Sequence, residues 1–289
     1  MDSTAIFTIH RISVPVKKLN EPFYLIPFGD IHRSSDLCHV EKWHEFLDWA
    51  KGKPRTMFMG MGDYDDLASA SERKMLTSSD LHDSTTRTLE QLYDKHTERL
   101  FKEIAFMDGN CVGLMEGNHY GQYSNATTTT QKLAGMLHCK YLGTMTIVRL
   151  AFAHGPREYC VDVVAHHGKG AARLIGGSLN RVQQLAEAVE GDIYLMGHDH
   201  RKSVGMVNRL RLSGGNGTLR LSHRKVLVGR TGSFLKGFEE NVPSYVVDRC
   251  LNPTDLGVLK LELTPKRDQT KHGEAKREDR FYVDIHASI

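Results

Sequence analysis

Paired or closely spaced cysteines are missing from the sequence. The five cysteines among the 289 residues are an odd number, and no two of them form a C-x-x-C pair. Secreted disulfide-rich domains and zinc knuckles both depend on such pairs. The pattern disfavours both classes and predicts a reducing compartment, for which we take the cytoplasm.

The sequence also lacks long apolar segments and a large excess of either positive or negative charge. The longest apolar runs, such as Phe23–Phe28, are far shorter than the ~20 residues of a membrane-spanning helix. The first residues lack the basic and apolar regions of a secretory signal. The 38 basic and 35 acidic side chains give a net charge of only +3. We therefore expect no membrane partner and no secretory leader, and the charge dictates no particular ligand.

Several catalytic fingerprints are also absent. The sequence contains no G-x-x-x-x-G-K-[ST], no G-x-S-x-G and no H-E-x-x-H. P-loop nucleotide hydrolases, α/β-hydrolases and metalloproteases with the last motif therefore have no support.

Short apolar runs alternate with helical patterns through the first two thirds of the chain. Helical spacing covers His39–Lys51 and Ser84–Phe106, and short alternating strands follow His200. This pattern predicts a layered α/β fold in a single domain, with a core over about 20–264 and a charged extension over 265–289. The polar stretch Pro265–Arg280 is predicted to be a loop or linker.

Five apolar runs are each followed, within one to three residues, by side chains that commonly bind metals. The segments are Asp30-Ile31-His32, Gly62-Asp63-Tyr64-Asp65-Asp66, Gly117-Asn118-His119, His166-His167-Gly168 and Gly197-His198-Asp199-His200. Because ligand sites in α/β sheets lie beyond the carboxyl ends of strands, we expect these segments to converge. Carboxylate, amide and imidazole ligands together suit manganese, iron, zinc or nickel better than calcium.

The ordered set D-x-H, G-D-x-x-D, G-N-H, H and G-H-x-H resembles the calcineurin-like metallophosphoesterase superfamily. The motifs run from Asp30 to His200, and the resemblance extends roughly to Leu263. It implies a four-layer α-β-β-α sandwich of two mixed sheets flanked by helices. It also implies hydrolysis of a phosphate mono- or diester by a hydroxide shared between two divalent metal ions, with manganese the first choice. We favour phosphodiester substrates, with a nucleotide or nucleic acid among the candidates.

The resemblance implies two metal sites that share one carboxylate. The first site would comprise Asp30, His32, Asp63 and His200. The second would comprise Asp63, Asn118, His166 and His198. The doublet His166–His167 leaves the fourth ligand ambiguous, and we prefer His166 because it directly follows the apolar run.

The resemblance implies catalytic roles for two further residues. His119 would be the acid near the leaving group, and Asp66 would orient it. Many relatives carry an acidic residue after G-N-H, but this chain has Tyr120. The departure leaves the metal ligands intact and puts in doubt a supporting carboxylate at that position.

Basic residues near the motifs are candidates for substrate contact. Arg33, Lys169 and Arg173 could each bind a substrate phosphate or lie in a flexible surface loop. Residues 200–236 contain nine basic and no acidic side chains. They could form a polyanion-binding lip beside the metals. The alternative is a solvated hairpin. We favour this alternative because Arg209, Arg211 and Arg220 fit an exposed strand face.

Two alternative functions remain at the sequence level. One is a metal-dependent DNA nuclease, whose relatives carry extra segments for a partner ATPase. In this chain, the charged stretch Pro265–Arg280 is the only candidate for such a partner-binding segment. The other is a catalytically inert scaffold of the same fold, for which degenerate ligands would be expected, whereas this chain has the full set.

Overall fold

Thirteen strands and six helices are formed by the residues that the computed structural model describes, which are 6–170, 172, 174–213, 219–272 and 276–289. The strands are β1 (Phe7–Pro15), β2 (Phe23–Phe28), β3 (Thr56–Gly60), β4 (Cys111–Met115), β5 (Lys140–Gly143), β6 (Met145–His154), β7 (Arg157–His166), β8 (Ile193–Met196), β9 (Lys202–Ser213), β10 (Arg220–Ser233), β11 (Gly257–Val258), β12 (Lys260–His272) and β13 (Lys276–Ser288). The helices are α1 (Val40–Lys51), α2 (Ala70–Ser78), α3 (Asp83–Ile104), α4 (Thr129–Met136), α5 (Ile175–Ala188) and α6 (Tyr245–Asp248). Over these residues, no helix combines the length and the apolar character needed to cross a membrane.

The strands form two mixed sheets. The order in one is β13-β12-β2-β3-β4-β5, and strands β2 to β5 run parallel. The order in the other is β1-β6-β7-β8-β10-β11, and β9 pairs with β10. Because β2, β3 and β4 are parallel, their carboxyl ends lie at one edge, where the segments that follow them meet.

Apolar side chains of the two sheets meet in one core, and helices cover the outer faces. Leu25 and Phe152 belong to the cluster between the sheets. The next residue, Ile26, points to the opposite face and packs in the same cluster as Trp43 of α1, because successive strand residues alternate in direction. On the other sheet, Val164 packs in the cluster that contains α5 residues. The predicted α/β class is confirmed as two mixed sheets with helices, an arrangement consistent with a two-sheet sandwich.

The loop predicted over Pro265–Arg280 is wrong. Strands β12 and β13 form a long antiparallel hairpin with register from Lys260↔Ser288 to His272↔Lys276. Leu261 and Leu263 also pair with β2, but the residues beyond them pair with β13 alone. Most of this hairpin therefore needs no continuous apolar face, and its charged sequence can still form strands. Residues 273–275 lie outside the described part of the chain.

The hairpin of β9 and β10 points away from the edge where the candidate segments meet. Strand β10 runs parallel to β8 and pairs Arg230 with Met196, which directly precedes the Gly197–His200 segment. The amino end of β10 at Arg220 pairs with Ser213 of β9. At about 3.3 Å per residue, ten residues place that end roughly 33 Å from Arg230.

Candidate metal centre

Glycines allow the candidate ligand loops to approach one another closely. A Cβ atom on Gly117 would lie 2.0 Å from the Oδ1 atom of Asp63, and one on Gly62 would lie 2.6 Å from the Nδ1 atom of His167. No side chain larger than hydrogen fits either position without displacing its neighbour. The glycines of these segments therefore bring the loops into direct contact.

Backbone strain is concentrated at the candidate ligands. Five of them have left-handed φ angles between 47° and 71°, namely Asp30, His32, Asp63, His198 and His200. This conformation is uncommon for residues other than glycine and costs about 1–2 kcal/mol each. Hydrogen bonds between loops help to maintain it, since the amides of Ile31 and His32 both donate to the carbonyl oxygen of Asp63, at 2.9 and 3.1 Å. Strain of this kind is typical of functional sites.

Asp30, His32 and His200 form the first buried group. The Nε2 atoms of His32 and His200 are 3.3 Å apart, and the Nε2 atom of His200 lies 3.6 Å from Oδ1 of Asp30. Among the described residues, this Oδ1 atom is buried without a hydrogen-bond partner. Burial, partly offset by nearby histidines, raises the pKa of Asp30 to about 7. A cation between these three side chains would stabilise the buried carboxylate.

Asp63, Asn118, His167 and His198 form the second group. The Oδ1 atom of Asn118 lies 2.7 Å from Nδ1 of His198 and 3.0 Å from Nε2 of His167. The Nδ1 atom of His167 lies 2.7 Å from the carbonyl oxygen of Met61, so that nitrogen carries a proton. The Nε2 atom of His167 faces the Oδ1 atom of Asn118 and the Oδ2 atom of Asp63. Burial would lower the pKa of His167, but the Asp63 carboxylate outweighs it and raises that pKa to about 9. A proton on Nε2 satisfies these two oxygens, and a metal cation could take the place of that proton.

His167, and not His166, belongs to this group, which corrects our preference for His166. His166 is the last residue of β7 and alternates with Ala165, whose side chain lies in the core between the sheets. His166 therefore points toward the α5 side, like Val164. The Nδ1 atom of His166 instead accepts a hydrogen bond from the amide of Gly168 at 2.8 Å.

One carboxylate oxygen of Asp63, Oδ2, lies near a histidine of each group. Its Oδ1 atom accepts hydrogen bonds from the amides of Asn118 and His119, at 2.6 and 2.9 Å. Its Oδ2 atom lies 3.3 Å from Nε2 of His167 and 3.9 Å from Nε2 of His32. Burial opposes ionisation, but the surrounding histidines outweigh it and hold the pKa of Asp63 well below its usual value. Asp63 is therefore a carboxylate in a position to bridge two cations.

Two histidines of the site are kept neutral, as metal ligands must be. Burial, reinforced by the positive charge of His167, lowers the pKa of His198 to about 4. Burial and the neighbouring His32 lower the pKa of His200 well below its usual value. Both rings therefore present a lone pair near neutral pH.

His119 and Asp66 lie together beside the first group. The Nδ1 atom of His119 is 2.5 Å from Oδ1 of Asp66, and the ring centroids of His119 and His32 are 4.9 Å apart. Hydrogen bonds from His119 and His32 hold the pKa of Asp66 well below its usual range. The structure thus brings together the two residues for which the resemblance implied catalytic roles.

Of the basic residues proposed for substrate contact, Arg33 and Lys169 do not line the cleft beside the metal groups. The Nε and Nη2 atoms of Arg33 bind Oε1 of Glu103 at 3.0 and 2.9 Å, so this side chain is turned toward α3. Lys169 is exposed but does not line the cleft beside the metal groups. Arg173 lies outside the described residues. Arg33 is therefore engaged with Glu103, and substrate binding by these residues stays a prediction.

Only part of the basic stretch lies near the metal groups, where Arg201 lines the cleft. Arg209 and Arg211 lie in the part of the β9–β10 hairpin that points away from the site. Arg230 is close to the site but fully buried, with its Nε atom 3.3 Å from Oδ2 of Asp199 and its Nη1 atom 2.8 Å from the carbonyl oxygen of Gly197. Arg230 therefore stabilises the Gly197–His200 loop from its buried side.

Arg73 is a supporting residue that the sequence did not indicate. It is buried, its Nη1 atom donates to the carbonyl oxygen of Asn118 at 2.7 Å, and its guanidinium lies 3.5 Å from the ring centroid of Tyr120. Tyr120, which directly follows Gly117-Asn118-His119, thus lies with its aromatic ring under an arginine. No motif could reveal this contact, since 45 residues separate Arg73 from Asn118.

A cleft of about 470 Å³ opens beside His32, Asp63, His119, His198 and His200. Its far wall comes from the connection between β10 and β11 and includes Leu235, Val246, Arg249 and Leu251. The buried aspartate and histidine groups could hold a metal ion, and the cleft gives a ligand access to them.

No protein-family model matches the chain, and no curated protein matches it significantly. The functional interpretation therefore depends on the geometry of the site.

Proposed function

We propose that the chain is a dinuclear metal-dependent phosphoesterase that acts on phosphodiesters. The observation that carries the proposal is the position of Asp63, whose Oδ2 atom faces His32 on one side and His167 on the other. A neutral imidazole offers a single lone pair and cannot bridge two cations, whereas a carboxylate can. The ordered motifs of the superfamily, which the sequence resembles, agree with this arrangement.

The donor set fits two divalent cations. Asp30, His32, Asp63 and His200 would hold one, and Asp63, Asn118, His167 and His198 would hold the other. Bound there, the two ions would supply Lewis-acid charge for the phosphoryl oxygens and lower the pKa of a water molecule. Nitrogen and oxygen donors together suit manganese, iron, zinc or nickel.

His119 supplies the proton for the departing oxygen. Asp66 accepts the Nδ1 proton of His119, which fixes the ring and leaves Nε2 available for a substrate in the cleft. General acid catalysis contributes about 10²–10⁴-fold when the leaving group is a poor one such as an alkoxide. Both ester arms of a diester need space, and the cleft provides it beyond the metal groups.

A substrate panel with added manganese tests the proposal. The panel contains p-nitrophenyl phosphate, bis-p-nitrophenyl phosphate, cyclic nucleotides, and single- and double-stranded DNA. We expect hydrolysis of bis-p-nitrophenyl phosphate to exceed that of the monoester and to stop on chelation. Turnover of DNA alone would favour the nuclease alternative. No turnover of any compound with manganese, iron, zinc or nickel would contradict the proposal.

A further inference from the structure

The wall of the cleft opposite the metal groups is built as a fixed part of the site. The connection from β10 to β11 begins where Oγ of Ser233 donates to the carbonyl oxygen of Asp30 at 2.8 Å. The amide of Lys236 then donates to the carbonyl oxygen of Leu37 at 2.8 Å. At its far end, Nζ of Lys202 binds Asp255 at 2.7 Å. The wall is therefore anchored at one end to the loop that carries a candidate ligand and at the other end to β9.

The middle of this wall is apolar and its rim carries a cation. Leu235 and Val246 of the wall, together with Leu37 of the loop between β2 and α1, are buried and line the cleft. Arg249 also lines the cleft, is exposed, and forms no ion pair or hydrogen bond with any described residue. By contrast, Asp66 and Asp199 of the lining are engaged with His119 and Arg230.

The turn that carries Arg249 has a defined backbone. The amide of Cys250 donates to the carbonyl oxygen of Val247 at 3.1 Å, and the amide of Leu251 donates to that of Val246 at 2.9 Å. Cys250 itself has a left-handed φ of 49°. A Cβ atom on Gly237 would lie 2.8 Å from Cγ1 of Val246, so this turn packs closely on the start of the wall. The backbone that carries Arg249 is therefore held in place, and its exposed side chain lines the cleft.

We propose that Arg249 forms a second anion subsite and that the substrate is a phosphodiester carrying an apolar group and a further phosphate. This inference rests on the proposed function, because it places the scissile phosphate at the metal groups. A diester phosphate there has its single charge met by the cations and leaves Arg249 without a counter-ion. A nucleotide with a phosphate on each side of its nucleoside has both of these further groups. Its nucleoside would lie along Leu37, Leu235 and Val246, and its second phosphate would lie at the guanidinium of Arg249. The cleft volume of about 470 Å³ lies within the range of small-ligand sites.

Equilibrium binding of two reaction products tests the subsite without requiring turnover. Titration calorimetry of the manganese-loaded protein compares thymidine 3′,5′-bisphosphate with thymidine 5′-phosphate. We expect the native chain to bind the bisphosphate about tenfold more tightly, the effect of one charge-assisted hydrogen bond. Arg249→Gln should abolish that preference. Arg87→Gln, which changes an exposed arginine of α3 outside the cleft, should retain it.

Equal affinities of the native chain for the two nucleotides, or a preference that survives in Arg249→Gln, would overturn the subsite. Failure of the subsite and failure of the function are distinguishable. Hydrolysis of bis-p-nitrophenyl phosphate without any preference for the bisphosphate refutes the subsite alone. An Arg249-dependent preference in a protein that hydrolyses nothing refutes the phosphoesterase function and leaves the subsite standing.

Discussion

The Nδ1 atom of His167 lies 2.7 Å from the carbonyl oxygen of Met61, at the end of β3. Because a carbonyl oxygen only accepts, this contact places a proton on Nδ1 and leaves Nε2 facing Asp63 and Asn118. His166, one residue earlier, has no comparable position. The two adjacent histidines therefore form a matched pair for experiment.

His167→Ala should lose metal, whereas His166→Ala should retain it. Removing a ligand leaves Asp63 and Asn118 without the imidazole that completes their group, so we expect at least a tenfold fall in metal affinity. Metal content after dialysis, measured by inductively coupled plasma mass spectrometry, checks the difference. Loss of metal from His166→Ala alone would restore our original preference.

Asp63→Asn should lower the metal content of both sites at once. The amide keeps the size of the carboxylate but removes the charge that two cations would share. We expect less than one equivalent of metal to remain where the native chain holds two. Asp36→Asn, an exposed aspartate on the loop after His32, is the control and should keep both. Two tightly bound equivalents in Asp63→Asn would defeat the bridging role.

His119→Ala should keep the metals but lose activity according to the leaving group. The proton that His119 holds matters most for an alkoxide, so alkyl esters should lose about 10²–10⁴-fold in kcat and p-nitrophenyl esters much less. Steady-state rates on a matched series of diesters provide the measurement. An equal loss on both kinds of ester would argue against an acid role.

Gly117→Ala should disturb the site through packing alone. The new Cβ atom would lie 2.0 Å from Oδ1 of Asp63, so either the carboxylate or the loop must move. Overpacking of this kind costs about 1–3 kcal/mol of unfolding free energy, and metal affinity should fall with it. Gly135→Ala in α4 is the control, since a Cβ atom there meets nothing within 4 Å. That change should stabilise the helix by up to about 1 kcal/mol, and urea unfolding measures both effects.

Asp284→Asn should reveal an acid-dependent contribution from the β12–β13 hairpin. Asp284 accepts hydrogen bonds from Nζ of Lys266 at 2.6 Å and from Nε2 of His286 at 3.1 Å. Burial opposes ionisation, but these two donors outweigh it and lower the pKa of Asp284. A carboxyl with a lowered folded-state pKa stabilises the fold above its unfolded pKa of ~3.9, and that stability is lost as pH falls through the folded value.

The Asp284→Asn variant should therefore be less stable than the native chain near pH 7 by at most about 1 kcal/mol, the range for a partly exposed pair. The difference should vanish in acid below both pKa values. Urea unfolding at several pH values measures it, with Asp36→Asn as the control. A difference that does not change with pH would mean that packing, and not charge, is responsible.

The sequence indicated the convergence of the ligand segments because each follows an apolar run directly. It could not choose between His166 and His167, since that choice depends on where β7 ends and on the alternation of its side chains. Strand β1 was not predicted, because only Val14 along it is buried and its neighbour β6 is more than 130 residues away in the chain. The supporting role of Arg73 was not predicted for a similar reason, because its contact with Asn118 exists only in the folded chain. Short-range patterns thus predicted the ligand positions, but tertiary pairing determined which side chains face the site.

The most direct measurement is anomalous diffraction from crystals soaked in manganese, collected on both sides of the manganese absorption edge. The account predicts two anomalous peaks, one on each side of Oδ2 of Asp63, within ligand distance of the His32 and His167 groups. A single peak, or peaks that leave this oxygen without a metal neighbour, would contradict the dinuclear centre.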